Sequence, residues 1–408
     1  MRARVSARLG ADFMKLWTAS AVSNVGDGVT MVAGPLLVAS LTDAPALVAG
    51  AAFVQSLPWL LFALVSGVYV DRPDRRRLIV VGNLVRGVVL GGLCAAVAVD
   101  VATIPLVYFV LFLLGTCETF ADTASMARLP DIVPPERLAS ANARLMATFT
   151  IGNQFVAKPL GAWLFGVTAA LPFGVDAVTF VVAAVLVAAT RPVAGDVAPV
   201  RGDLRGDIAE GVRWLWSHRL LRTLALTMGV ANVAFCGAFA VFVLYARERL
   251  GLSDVGYGFL LTTFAVGGLV GTAIASRLQK WLGAGWLLRA GLVVEGVTHL
   301  SLAITRQPWV AAVTLIAFGV HTMVWGVIAT TVRQRAVPAR LLGRVGSVYA
   351  LSDAGGAVLG WFLGGVFAQM LGITAPFWIA FAAMIVVSAA AWNPLGEAPG
   401  RGQDGVGG

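Results

Sequence analysis

Apolar stretches of about twenty residues recur along the whole of this chain, and few folds can accommodate them. They run at roughly 17–41, 46–70, 78–98, 103–127, 139–166, 170–190, 220–246, 255–278, 286–305, 308–332, 341–371 and 374–392. In lipid every backbone polar group must be satisfied within its own segment, so each stretch predicts a transmembrane helix. Several are longer than a bilayer needs, which predicts tilt or extension into the cytoplasm. The chain is 58% hydrophobic and 12% charged, where a soluble domain carries about 25% charged residues. Its 47 glycines suit helices that pack closely without a hydrophobic force between them.

The charges order these spans. A net charge of +9 would suggest nucleic acid in a soluble protein, but here it is topological, and no nucleic-acid partner is expected. With the N-terminus inside, Arg2, Arg4, Arg8, Arg72, Arg75, Arg76, Arg77, Arg128, Arg137, Arg144, Arg205, Arg213, Arg277, Lys280, Arg335, Arg340 and Arg344 all fall on cytoplasmic segments or helix ends. The outside keeps only Arg247, Arg249 and Arg306, while Arg86 and Lys158 lie within spans. This asymmetry predicts an even number of helices in the cytoplasmic membrane with both termini cytoplasmic. The basic N-terminus is followed by no cleavage site, so the first span reads as a retained helix. Cys94, Cys117 and Cys236 all sit in apolar spans and read as small packing residues.

The longest break, residues 191–219, carries Leu204, Ile208, Val212, Leu215 and Trp216 at helical spacing. This predicts an amphipathic helix at the cytoplasmic membrane surface. It divides an N-terminal six-helix bundle (1–190) from a C-terminal one (220–392), and the Gly-rich tail 393–408 is expected to be disordered. The halves resemble each other. Val133-Pro134 before the fifth span matches Val337-Pro338 before the eleventh; Gly161-Ala-Trp163 matches Gly360-Trp361; and Asp71-Arg72-x-x-Arg75 has a fainter counterpart in Ser276-Arg277-x-x-Lys280. Three similarities about 200 residues apart indicate a duplicated six-helix unit, an arrangement common in transporters. The expected fold is thus an all-α membrane protein of twelve transmembrane helices in two pseudo-symmetric six-helix bundles.

Between the second and third spans lies Gly67-Val-Tyr-Val-Asp71-Arg72-Pro-Asp-Arg75-Arg76-Arg77. The pattern of Gly67, Asp71, Arg72, Arg75 and Arg76 resembles the signature loop of the major facilitator superfamily, with Asp74 where that family usually has glycine. Ser23-Asn-Val-Gly26-Asp27-Gly28, Asn83-Leu84-x-Arg86, Leu129-Pro130-Asp131 and Ala141-Asn142-x-Arg144-Leu145 resemble its bacterial branch of macrolide-efflux and enterobactin-exporter-like proteins. The resemblance implies alternating access about a central cavity, proton-driven export, and a loop whose arginines bridge to acids on the fourth span to hold a gate. One departure stands out. Drug antiporters of the superfamily often carry a G-P-x-x-G-G-like run in the fifth helix, and here the stretch is Ala157-Lys158-Pro159-Leu160-Gly161-Ala162.

An ionisable side chain in a span costs about 2.5–3.5 kcal/mol on insertion scales, so each one asks for a partner, a wet cavity or a function. Asp27 lies near mid-depth between two glycines that let another helix or a substrate approach. It is a candidate proton-coupling or cation-recognising acid, or a structural partner of Lys158. Glu118 and Asp122 share a helical face and form a second proton-site candidate; Asp122 can alternatively latch the arginines after span two. Lys158 is expected to pair with Asp27 or Glu118, or to snorkel outward. Asp353 is a cavity candidate in span eleven. Glu295 and His299, at i and i+4 in a span that is peripheral in the resembled fold, suggest a local structural hydrogen bond. Gly356-x-x-x-Gly360-x-x-x-Gly364 makes a smooth strip for close helix packing. Trp17, Trp59, Trp163, Trp325 and Trp361 suit packing or interface anchoring better than stacking on a substrate.

No nucleotide-binding loop occurs, and the histidines and cysteines lack metal spacing. The sequence therefore predicts no enzyme, cofactor or metal, but a monomeric secondary transporter whose partners are a small molecule, the lipid bilayer and, as coupling ion, protons. Export of a small amphipathic compound is the reading adopted. A facilitator or importer would share the fold, and a non-transporting membrane scaffold or sensor is the rival from another class.

Overall fold

The computed structural model describes residues 10–70, 75–191, 204–338 and 341–397, and every regular element among them is helical. Contacts divide the chain into two units, Met1–Leu41 with Leu57–Pro199 and Thr42–Ser56 with Val200–Gly408, so the division falls inside the second helix.

The first unit holds α1 (Ala11–Leu41), the latter part of α2 (Pro45–Val70), α3 (Arg75–Ala98), α4 (Ile104–Ile132), a composite fifth span and α7 (Leu171–Ala188). The composite span runs without a turn through α5 (Leu138–Thr148), a π-helical segment (Phe149–Val156) and α6 (Ala157–Val167). Among the described residues eleven other helices are long and apolar enough to cross a membrane, and the composite span makes a twelfth. Its wide turns are a local departure from the α-helix of a kind often found at functional sites. Helix α1 is the hub of this unit, packing on α7, on the composite span and on α4, while α3 packs on α4 and α7.

In the second unit, α8 (Leu204–Ser217) is followed by α9 (Arg219–Phe239), a short α10 (Phe242–Leu244) with a π turn (Tyr245–Arg249), α11 (Asp254–Leu282), α12 (Ala284–Ile304), α13 (Pro308–Ala336), α14 (Leu342–Leu371) and α15 (Ala375–Gly396). Its pairings repeat those of the first unit. First-on-sixth, first-on-fifth, third-on-sixth and third-on-fourth contacts are α1–α7, α1–α6, α3–α7 and α3–α4 in one, and α9–α15, α9–α14, α12–α15 and α12–α13 in the other. The protein is therefore twelve transmembrane helices in two bundles of like internal plan.

Local chemistry explains several of these contacts. The Gly356–Gly360–Gly364 strip lies against α9, where a Cβ on Gly360 would come 2.6 Å from the Val233 carbonyl oxygen. Only the bare glycine backbone permits that approach. Between α11 and α12 the chain reverses at Gly283, whose φ of 78° suits glycine alone as a helix C-cap. Trp281 and Trp286 stand exposed on either side of this reversal, as interface-anchoring tryptophans do. The amphipathic segment forms α8 as its spacing predicts, but it is docked on α14 rather than lying wholly free. Leu215 is buried in the unit's core, Glu210 pairs with Arg344, and Val212 and Trp216 stay exposed.

Candidate functional site

Asp27 stands at the middle of α1 between two glycines that are both used. A Cβ on Gly26 would come 2.0 Å from Asp176 Oδ1 of α7, and one on Gly28 would come 2.5 Å from the Ala157 Cβ and 2.7 Å from the Asn153 carbonyl oxygen. Two neighbouring spans thus press on α1 on either side of the carboxylate. The same contact continues one turn on, where a Cβ on Gly161 would meet the Val29 carbonyl oxygen at 2.7 Å.

The carboxylate's partner is Arg86, from the middle of α3. Its Nη2 donates to Asp27 Oδ1 at 3.0 Å and lies 3.5 Å from Glu118 Oε2 of α4. The guanidinium stacks 4.2 Å from the Phe180 ring of α7, a cation–π contact that strengthens away from water. The Arg86 side chain is only 4% exposed, whereas those of Asp27 and Glu118 are 25% and 33% exposed. The cation is therefore sealed in the bundle while both acids keep a face open. Asp122 and Asp176 are close enough to act on Arg86 electrostatically. Asp122 is exposed; Asp176 is buried and accepts from the Thr30 and Thr179 hydroxyls.

These contacts revise the sequence reading. Asp27 and Glu118 do converge, but on Arg86 and not on Lys158, because Arg86 already bridges both acids. Lys158 is buried at the start of α6 and makes no ion pair or hydrogen bond among the described residues. Five residues before it, in the π segment, Asn153 donates to the Asn24 carbonyl at 3.1 Å, leaving its own buried Oδ1 without a partner. Asp353 is exposed on α14 and far along the chain from this cluster; the Asn232 amide of α9 donates to its carbonyl and its carboxylate at 2.6 and 3.1 Å. Two participants were not singled out from the sequence. Arg86 was visible as a cation within a span, and Asp176 as an acid six residues into an apolar one.

Of the signature loop, Asp71 and Arg72 lie outside the described residues, and Gly67 is helical backbone near the end of α2. Arg75 reaches α4, where it donates to the Ala127 carbonyl at 2.8 Å and pairs with Asp131 at 2.9 Å. The acid met on the fourth span is thus Asp131, about two turns beyond Asp122. Arg76 donates to the Ala188 carbonyl, Lys15 to Ala189 at 2.6 Å, and Arg128 to Thr190 and the Arg191 carbonyl at 2.8 Å each. Three cations therefore gather at the C-terminal end of α7, where a helix leaves unpaired carbonyls and partial negative charge.

Comparisons with known proteins bear on the family and the fold. A family model described as a transmembrane secretion effector matches residues 8–395. The multidrug efflux pump Tap of Mycolicibacterium fortuitum is 27% identical over 383 residues, covering 88% of this chain and 90% of Tap. The enterobactin exporter EntS of Escherichia coli O1:K1 / APEC is 24% identical over 387 residues, covering 92% and 89%. Among solved structures, a bacterial homologue of the iron transporter ferroportin in an inward-facing state superposes with a TM-score of 0.74 at 16% identity over 94% of this chain and 98% of that one. The nucleoside transporter NupG gives 0.71 at 10% identity, over 96% and 100%. At such identities the structural likeness speaks for the fold alone.

Proposed function

The chain belongs to the transmembrane secretion effector family of the major facilitator superfamily, and from that premise we propose that it is a proton-coupled exporter of small amphipathic compounds. Efflux and exporter relatives that span nearly the whole chain support export of small molecules by a secondary transporter. The coupling is our own reading, and the single observation behind it is the Asp27–Arg86–Glu118 centre. An arginine keeps its charge in any protein environment, so the guanidinium is a fixed counter-charge. Around it stand more carboxylates than one cation can neutralise, and Asp27, Glu118 and Asp122 keep an open face. Such a centre can take up protons or the cationic part of a substrate, one at the expense of the other.

In the cycle we envisage, protons arriving from outside neutralise Asp27 or Glu118 and loosen their hold on Arg86. The transporter changes state, the acid releases its proton inside, and substrate replaces it. Alternating access needs only that the two occupancies favour different conformations. The excess of Lys and Arg on the predicted inner loops supports a cytoplasmic position for both termini and for the Arg75–Arg128 end of the first unit.

The test is accumulation of fluorescent dyes and antibiotics in efflux-deficient bacteria expressing the protein, with and without a protonophore, beside Asp27→Asn and Glu118→Gln. We expect lowered accumulation that the protonophore abolishes and that both variants weaken at unchanged expression. Efflux that ignores the protonophore would overturn the coupling while leaving the fold and the direction of transport standing.

A further inference from the structure

The second unit contains a buried charge cluster that repeats the first in inverted form. Gly82-Asn-Leu-Val-Arg86-Gly87 of α3 and Gly291-Leu-Val-Val-Glu295-Gly296 of α12 share one pattern, a glycine four residues before the charge and one directly after it. Arg86 and Glu295 also occupy the same register, eleven residues past the first residue of their helices. The neighbours correspond as well. A Cβ on Gly82 would face α4 (Ala121, Cys117) and one on Gly291 faces α13 (His321, Trp325), while Gly87 faces α7 and Gly296 faces α15. Where the first unit has a cation on its third helix and an acid on its fourth, the second has an acid on its third and an imidazole on its fourth.

Glu295 Oε2 lies 3.0 Å from His321 Nε2, and Oε1 lies 3.5 Å from His299 Nε2. The hydrogen bond expected between Glu295 and His299 is thus made by His321 of α13 instead. All three side chains are at least nine-tenths buried. Among the described residues neither ring nitrogen of His299 has a hydrogen-bond partner, Nε2 having only the 3.5 Å approach to Glu295 Oε1. Gly291 makes the room for this, since a Cβ there would come 2.6 Å from His321 Cε1. Two of the chain's three histidines meet at this one carboxylate.

We propose that Glu295, His299 and His321 form a proton-binding site in the second unit, distinct from the Asp27–Arg86 centre. The charge count carries the argument. With one proton shared among the three groups the cluster is neutral overall; with none it holds a buried negative charge, and with two a buried positive one. Net charge at this depth is costly, so the three groups share a first proton as a unit, and a second is taken up only against that cost. His299, with Nε2 3.5 Å from Glu295 Oε1, is where a second proton would be received.

Other charges on the packed helices stand away from the cluster. Helix α15 has no charged residue between Ala375 and Gly396. Helix α11 has Asp254 and Tyr257 near its start and Arg277 and Lys280 near its end, and α13 has Arg333 and Arg335 in its last turn. On α12 itself, Arg289 donates to the Trp392 carbonyl at 2.7 Å.

The test is ¹⁵N NMR of the full chain in nanodiscs, labelled at histidine only, followed from pH 5 to 9 after EDTA treatment. His218 is exposed and is assigned by His218→Asn. We expect a second imidazole–imidazolium conversion in the wild type, displaced in Glu295→Gln by at least tenfold in proton concentration. Glu295→Asp, which keeps the carboxylate, is expected to retain the conversion and stands in if Glu295→Gln does not fold, with His321→Asn then supplying the loss. Buried rings that stay in one neutral form throughout, a conversion indifferent to Glu295 and His321, or one that appears only when Zn²⁺ is restored would each overturn the proposal. None of these readouts depends on transport, so the result stands apart from the fate of the export mechanism.

Discussion

The two polar centres of this protein solve one problem with different chemistry. In the first unit a single guanidinium, sealed against Phe180, holds two acids that remain part-exposed. In the second, a single carboxylate with 8% exposure is held between two imidazoles. The guanidinium cannot discharge, so any neutralisation in the first centre must happen on its acids. The imidazoles can discharge, so in the second centre neutralisation can take place on the cations as well as on the acid, by exchange of a proton. Burial thus sorts the two: the permanently charged group sits where its acids reach solvent, and the titratable groups sit where nothing does.

The largest test of this contrast is Arg86→Met. Removing one partner of a fully buried pair costs about 3–5 kcal/mol, and here less, because Asp27 and Glu118 are part-exposed and screened by solvent. We expect a large fall in thermal stability of the purified protein together with loss of export. Glu295→Gln should cost clearly less, because its histidines can shed the charge that the acid balanced. Equal losses would erase the distinction. Arg86→His sharpens it by making the first centre titratable. Export should survive at acidic pH, where the imidazole is charged, and fade as pH rises through about 6.5. A flat profile would show that the fixed charge is dispensable.

Next in size is a difference in glycine tolerance. Gly161→Ala would place a Cβ 2.7 Å from the Val29 carbonyl oxygen, whereas one on Gly296 meets its first neighbour, the Met384 Cβ, at 4.0 Å. Backbone cannot yield as a side-chain tip can, so we expect Gly161→Ala to cost about 1–3 kcal/mol as overpacking does. Gly296→Ala should be tolerated, with unfolding temperatures of the two variants as the comparison. Similar losses would mean that the spacing of α1 against the composite span is not what limits the first unit.

What the sequence disclosed follows the same line between backbone and side-chain physics. Apolar length and the arginine asymmetry made the twelve spans legible, because the bilayer enforces both at every span. The interrupted fifth span was not legible, since Phe149–Val156 has nothing in its composition that distinguishes a π turn from an α turn. Asp27 and Glu118 stood out because a carboxylate in an apolar run is conspicuous by itself. Their partner did not, because Lys158 and Arg86 are equally conspicuous and only three-dimensional packing decides which one arrives. Arg86 comes from α3, which shares α4 and α7 as neighbours with the acids, while Lys158 points from a helix that meets α1 through small residues. Asp176 and His321 were missed for a related reason: Thr30 and Glu295, which they meet, lie on other helices, and no spacing along α7 or α13 announces those contacts.

Lys158 gives a smaller effect of opposite sign. A buried cation with no ion pair among the described residues is a cost to the fold, and replacing such a charge by an apolar side chain of similar volume is neutral or stabilising by about 1–2 kcal/mol. Lys158→Met is therefore expected to raise the unfolding temperature. If it also leaves export and its pH dependence unchanged, the residue takes no part in the cycle; stabilisation with impaired export would place it among the groups kept for function at the expense of stability.

The smallest effect concerns the ion pairs at the ends of the units. Arg75–Asp131 is 2.9 Å long with side chains 16% and 30% exposed, and Arg219–Glu397 is 3.1 Å long but 62% and 54% exposed. Exposed pairs contribute about 0–1 kcal/mol once solvent screening and side-chain ordering are counted. Double-mutant cycles on thermal stability should thus give a coupling of about 0.5–1 kcal/mol for the first pair and none that can be measured for the second. The first also has a competitor for its energy, because Arg75 donates to the Ala127 carbonyl at 2.8 Å. Asp131→Asn should therefore lose less than Arg75→Ala, which removes both contacts. If the two single variants lose the same amount, the arginine acts through the carboxylate alone, and the loop is tied to α4 by charge and not by the helix backbone.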